Sequence, residues 1–237
     1  MKNKKEAAYH QPRGKYIRSL IFGFNDGTVS NLALVAGLSG ALLGNKVVIL
    51  GGLADMIAGA ISMGLGNYIA TKSQVEFYRH EYQREKEEIK EAPNLEKKEI
   101  EDLYRRKGFR GKELAMVVRR ITSNKKRWLR VIMEEEIGVT KKNRENPAAV
   151  GFMTFWAFLI AALIPIIPFF FLPVQGALIV ASVTCMSLLF VVGVAKTHFT
   201  GRDWFRSGME MVVIGAVATL ASYYLGEFFN EYLTRIL

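Results

Sequence analysis

The sequence predicts an all-α membrane protein in which five membrane-spanning helices are interrupted, between the second and the third, by a polar three-helix insert. Three observations carry this. Half of the 237 residues are hydrophobic, an ordinary share, yet they fall in long blocks while most of the charge is confined to one central stretch. Five of those blocks reach the roughly 20 largely apolar residues that cross a hydrocarbon core of about 30 Å at about 1.5 Å per residue. The basic residues, finally, fall where they would if nearly all lay on one side of a bilayer. Composition excludes other classes: aliphatic and aromatic content excludes disorder, the single cysteine Cys185 excludes a disulfide scaffold, and glycine without period excludes a collagen-like chain.

Taken in order, a basic tail over residues 1–16 precedes spans from about Ile17 to Leu43 and from Val47 to Ala70, so that 17–70 holds the first two. A polar segment, 71–147, follows. Residues 148–237 supply three more spans, from about Ala148 to Phe171, Val174 to Ala195 and Met209 to Phe229. The fourth carries no charge, and the third none between Gly151 and Pro173; Pro165, Pro168 and Pro173 predict a kink or an early end there. A cleaved leader fits poorly, because the first apolar run is too long, contains Asp26 and lacks a small-residue cleavage site.

Of the 32 Lys and Arg, all but Lys46 and Arg235 lie at the N-terminal end as far as Arg18, in the insert or in the connection between spans four and five. Those three regions share the cytosolic side only if the N-terminus is inside and the C-terminus outside, which requires an odd number of spans. The net charge of +10 is thereby accounted for by topology, and nucleic acid is not an expected partner.

The insert reads as helices. No Gly or Pro occurs from Ser73 to Glu91, so the second span is expected to continue as one long helix until Ala92-Pro93-Asn94 stops it. A second helix follows from about Leu95 to Arg106, ending at Gly108, and a third from about Gly111 to Ile137, ending at Gly138. Leu95, Ile100, Leu103, Tyr104, Leu114, Val117, Val118 and Ile121 form the expected core stripe. Glu81, Glu85 and Glu88 share one face of the first helix, Glu96 and Glu99 one face of the second, and Met133 and Glu136 one face of the third. Converging carboxylates with a thioether suit divalent transition metals, the sulfur favouring softer ions than Ca²⁺ or Mg²⁺. On spacing alone, a solvated helix with Lys and Arg interleaved accounts for the same pattern.

Within the spans, FGFNDGTVSN places Asp26 about a third of the way into an otherwise apolar segment, a costly position unless it faces a partner or a water-filled path. The local alternative is a cap on a broken helix. Asp55 sits in GGLADMIAGA, with Met63 and Asn67 in ISMGLGNY. Asp55 and Met63 are two turns apart and about 80° around the helix, so one broad polar face holds all three, flanked by small residues that permit close helix approach. For Met63, plain packing is the bland alternative.

Together these features resemble the vacuolar iron transporter family, nearly throughout from Arg18 onward. The carriers are FGFNDGTVSNLALVAGLSGA, ADMIAGAISMGLGNYIATKSQ and the Glu-rich insert after the second of five spans. The resemblance implies a homodimer that moves Fe²⁺ and related divalent metals (Mn²⁺, Co²⁺, Ni²⁺, Zn²⁺) out of the cytosol in exchange for protons, without a prosthetic group, along a path at the dimer interface. It assigns intramembrane metal ligands to Asp26 and Met63, an acidic path residue to Asp55, and insert ligands to Glu85, Glu88, Glu96, Glu99, Met133 and Glu136; helical spacing, not the resemblance, offers Glu81 as an additional ligand. Two positions depart from the family pattern: Ile132 stands where some members have a second methionine, and Asn67 where a related GEY pattern has Glu. The implied membrane is vacuolar in a eukaryote and the cell membrane in a prokaryote.

The same features admit two other classes of protein. A carboxylate-bridged iron oxidase would want Glu-x-x-His ligands, and no Glu lies three residues before His80, the insert's one histidine. A non-transporting scaffold or regulatory subunit is separated from a transporter by metal flux through the purified protein. The sequence also contains no Walker-type phosphate loop for an ATP-driven motor.

Overall fold

The computed structural model describes residues 13–138 and 145–236. Among them every regular element is helical: α1 (Arg13–Gly40), α2 (Asn45–Glu91), α3 (Pro93–Arg106), α4 (Gly111–Thr122), α5 (Lys125–Glu135), α6 (Pro147–Leu163), a 3₁₀ turn (Ile167–Phe170), α7 (Val174–Thr200) and α8 (Trp204–Ile236). The chain divides into two compact units, one holding Met1–Ile69 and Pro147–Leu237, the other Ala70–Asn146.

In the first unit α1 is the central helix, packed against α6, α7 and α8, with α7 and α8 also in contact. Its inward positions, Thr28, Asn31, Leu32, Val35 and Ala36, are fully buried. This explains why α1 is the least lipid-like of the expected spans: a helix surrounded by protein can carry Asn25, Asp26, Thr28, Ser30 and Asn31, because other helices shield it from hydrocarbon. Among the described residues, three helices, α2, α7 and α8, are long and apolar enough to cross a membrane, while α6 is a shorter apolar helix of 17 residues. α1 runs unbroken through Asp26, so that carboxylate caps no helix break.

The outward faces are greasy. Ile57, Ile61 and Leu65 on α2, Ile179 and Val183 on α7, and Val213, Val217 and Leu220 on α8 are large, apolar and exposed. Contiguous apolar stripes of this kind are costly in water and natural in lipid. Helix contacts rely on missing side chains: a Cβ on Gly27 would stand 2.5 Å from the carbonyl oxygen of Phe158, so α1 and α6 meet backbone to backbone at that point. The expected early end of the third span is present. Pro165 and Pro168 lack N–H donors, α6 gives way to a 3₁₀ turn, and Asn45 Nδ2 donates to the carbonyls of Phe169 at 2.8 Å and Leu172 at 2.7 Å. Behind that turn Leu32, Val35, Val48, Phe169 and Cys185 pack as one apolar cluster. Both α7 and α8 extend beyond the expected spans, to Thr200 and Ile236 at their C-terminal ends.

The second unit packs Ile89, Ile100, Leu114, Val118, Ile121, Trp128, Leu129, Ile132 and Met133 into one core. Two details differ from the sequence reading. The expected third helix is two, α4 and α5, separated at Ser123-Asn124. Asn124 is extended and its Oδ1 accepts from the amides of Lys126 at 3.0 Å and Arg127 at 3.1 Å, an N-cap that starts a new helix where a continuous one was expected. Leu95 is 58% exposed, because the buried face of α3 is formed by Glu96 and Ile100, one turn apart, and Leu95 points away from it. Gly108 ends α3 with φ of +101°, a conformation that side chains disfavour.

Candidate metal site

The acidic face of α2 is built by helical spacing. Glu81 and Glu85 are buried and Glu88 is half-buried, with 45% of its side chain exposed. The chain turns at Ala92-Pro93, where Pro93 cannot continue the ladder, and α3 returns Glu96 toward them at 2% exposure. One carboxylate oxygen from each of Glu85, Glu88 and Glu96 lies within 4.8 Å of the other two. Glu96 Oε2 is buried without a hydrogen-bond partner among the described residues, an unusual and costly state for a carboxylate.

The electrostatics match. Burial pushes the Glu96 carboxyl up to about 7, with Glu99, Glu85, Glu88 and Glu136 adding like-charge repulsion. Glu85 is also raised, chiefly by burial and by Glu88 and Glu136, against the opposing pull of Arg84. Glu99 is raised by burial, then by Glu136 and Glu88. Glu99 and Glu136 therefore act on the triplet through their fields, while the close oxygen set is Glu85, Glu88 and Glu96. Glu136 is exposed at the end of α5. Met133 is 5% exposed and belongs to the apolar core, next to the fully buried Ile132. Glu81 is engaged by Arg84 at 2.9 Å. Three converging carboxylates, one with an oxygen that has no partner among the described residues, form a set whose charge a divalent cation can largely offset and for which protons can compete.

In the first unit, Asp26 on α1 and Asp55 on α2 are both half-buried and lie within electrostatic reach of each other. Asp55 Oδ2 is buried without a partner among the described residues. Met63 packs against the apolar cluster of Ala60, Phe158 and Ala162. Asn67 Nδ2 donates to Thr154 Oγ1 at 2.7 Å. The sequence reading did not single out Asn31, which is fully buried and donates Nδ2 to the carbonyl of Gly52 at 2.9 Å, pinning α1 to α2 one turn from Asp55. Its signal was available, an amide five residues after Asp26 in the same polar motif. Arg84 was likewise passed over, although it stands three residues after Glu81, one before Glu85 and four before Glu88.

An all-α chain with long apolar helices, two acids facing each other on neighbouring helices and an acidic helical unit has the make-up of an all-α membrane protein. The VIT family's sequence model matches residues 17–227, and the chain belongs to that family. It is 38% identical over 216 residues to vacuolar iron transporter 1 of Eucalyptus grandis, covering 90% of this chain and 86% of that protein. It is 36% identical over 219 residues to vacuolar iron transporter 1 of Arabidopsis thaliana, covering 92% and 88%. Against vacuolar iron transporter 2 of Oryza sativa subsp. japonica the identity is 38% over 216 residues, covering 90% and 87%.

Proposed function

We propose that the protein is a secondary active transporter that exports Fe²⁺, and with it Mn²⁺, Co²⁺, Ni²⁺ or Zn²⁺, from the cytosol in exchange for protons. Its relatives are named as iron transporters, and a transport role rather than an enzymatic one follows for this chain. The observation that carries the reading is the convergence of Glu85, Glu88 and Glu96, whose Oε2 has no partner among the described residues, on one small volume.

In this reading the insert gathers cytosolic metal, which passes to Asp26 and Met63 and leaves past Asp55, with Asn67 on the same wall. A homodimer supplies the missing charge: a two-fold axis doubles Asp26 and Met63 into two carboxylates and two thioethers around one path. Protons moving the other way compete for the same carboxylates, because desolvation favours the protonated acid and a bound cation favours the ionised one. Five spans place the N-terminus and insert in the cytosol and the C-terminus opposite, in a vacuolar membrane in a eukaryote or the cell membrane in a prokaryote.

The test is uptake of a metal panel by proteoliposomes with an acidic lumen. Metal entry coupled to proton release, lost when the gradient is collapsed, is expected. Metal entry indifferent to the gradient would remove the exchange mechanism, and no entry of any metal would remove transport.

A further inference from the structure

The acids of the α2 face hold one cation, Arg84, among them. Arg84 Nη2 is 2.9 Å from Glu81 Oε2 and 3.0 Å from Glu85 Oε1, and Nε is 3.6 Å from Glu88 Oε1. Nη1 adds a hydrogen bond to Glu81 Oε1 at 3.2 Å. Two of those three partners, Glu85 and Glu88, belong to the triplet that converges with Glu96. The compensation is one-sided: Arg84 offsets part of the charge on the α2 edge of the cluster, while Glu96 Oε2 on α3 is buried with no partner among the described residues.

A cation entering between Glu85, Glu88 and Glu96 meets a guanidinium already sharing two of its donors. A monovalent ion brings the same single charge as the guanidinium, must shed its water, and gains little by the exchange. A divalent ion doubles the attraction to every carboxylate and also reaches Glu96, which Arg84 leaves uncompensated. Half of the Arg84 side chain is exposed, so the guanidinium can swing into water without disturbing the core.

We propose that Arg84 is a built-in counter-ion of the Glu85–Glu88–Glu96 cluster, holding the metal-free site and setting its preference for divalent over monovalent cations. This rests on the reading that the cluster binds metal. Arg84 is a specificity-determining neighbour of the ligands rather than a ligand.

The experiment is calorimetric titration of the full-length protein in detergent with Mn²⁺, a redox-stable relative of Fe²⁺, for wild type, Arg84→Gln and Arg84→Lys. Each is titrated at low salt, in KCl, and in tetraethylammonium chloride at equal ionic strength, so that screening is separated from occupancy by a small cation. Wild type should bind Mn²⁺ with equal affinity in the two salts. Arg84→Gln should bind about tenfold tighter at low salt and lose about fivefold more affinity in KCl than in tetraethylammonium chloride. Arg84→Lys, which keeps the charge, should stay near wild type. Unchanged or weaker binding by Arg84→Gln, or an equal response to both salts, overturns the proposal while leaving the metal site standing. Wild type that fails to bind Mn²⁺, or a Glu85→Gln, Glu88→Gln, Glu96→Gln variant that binds it as well as wild type, overturns the site and the proposal with it.

Discussion

Asn67 on α2 donates its side-chain amide to Thr154 Oγ1 on α6 at 2.7 Å, and Thr154 in turn donates to the carbonyl of Val150 at 3.0 Å. A neutral strut thus occupies the position where a related family pattern carries an acid. Thr154 is fully buried, so removing its partner leaves a hydroxyl without compensation from that side. Asn67→Ala should lower stability by about 1 kcal/mol, read as a drop in the thermal midpoint of the purified protein. An unchanged midpoint would show that the bond carries no weight.

Asp26 lies in the middle of an unbroken helix, within electrostatic reach of Asp55. Asp26→Asn keeps the shape and removes the charge. Proteoliposomes carrying it should show no proton-driven Fe²⁺ uptake. Retained uptake would take Asp26 off the path.

Among the insert acids, the close oxygens and the distant fields should separate in a mutant series. Replacing Glu85, Glu88 and Glu96 together with Gln should weaken Mn²⁺ binding by about a hundredfold or more, since the charge and the donors both go. Glu99→Gln or Glu136→Gln, acting through space, should cost only about threefold. Equal losses from all five positions would mean that the donor set extends beyond the triplet.

Glu96 ties binding and stability to pH in opposite senses. Its carboxyl is pushed from 4.5 to about 7, so the folded chain holds that proton more tightly than the unfolded one, and the resulting stabilisation is full below 4.5 and lost as pH rises through about 7. Without metal, amide hydrogens of α3 should lose protection between about pH 4.5 and about pH 7, after correction for intrinsic exchange, and Glu96→Gln should flatten that trend. Metal affinity should run the other way, rising over the same interval as the proton leaves. A trend identical in wild type and Glu96→Gln would assign it to other groups.

Much of this was legible from residue order. The long α2 followed from the absence of Gly and Pro between Ser73 and Glu91, and its end from Pro93. The break after α6 followed from Pro165 and Pro168. The division of α4 from α5 was hidden, because Asn124 reads as an ordinary polar residue until its side chain is seen capping the next helix. Leu95 was misplaced for a related reason: periodicity favours the apolar residue for the buried face, yet Glu96 takes it. That inversion is itself informative, since burying a carboxylate in preference to a neighbouring leucine runs against transfer free energy and marks the position as one kept for chemistry. Arg84 escaped notice because a charge among opposite charges looks like solvation until its contacts are measured.

Cys185 is the chain's one cysteine and is fully enclosed beside Phe169 and Leu32. Thiol-directed dyes will therefore find nothing to react with on the native protein, and single cysteines introduced at Ser123 or Lys46 can be labelled from either side of a sealed vesicle with the wild-type background untouched. Sidedness of the whole molecule becomes readable by fluorescence without first deleting a native residue.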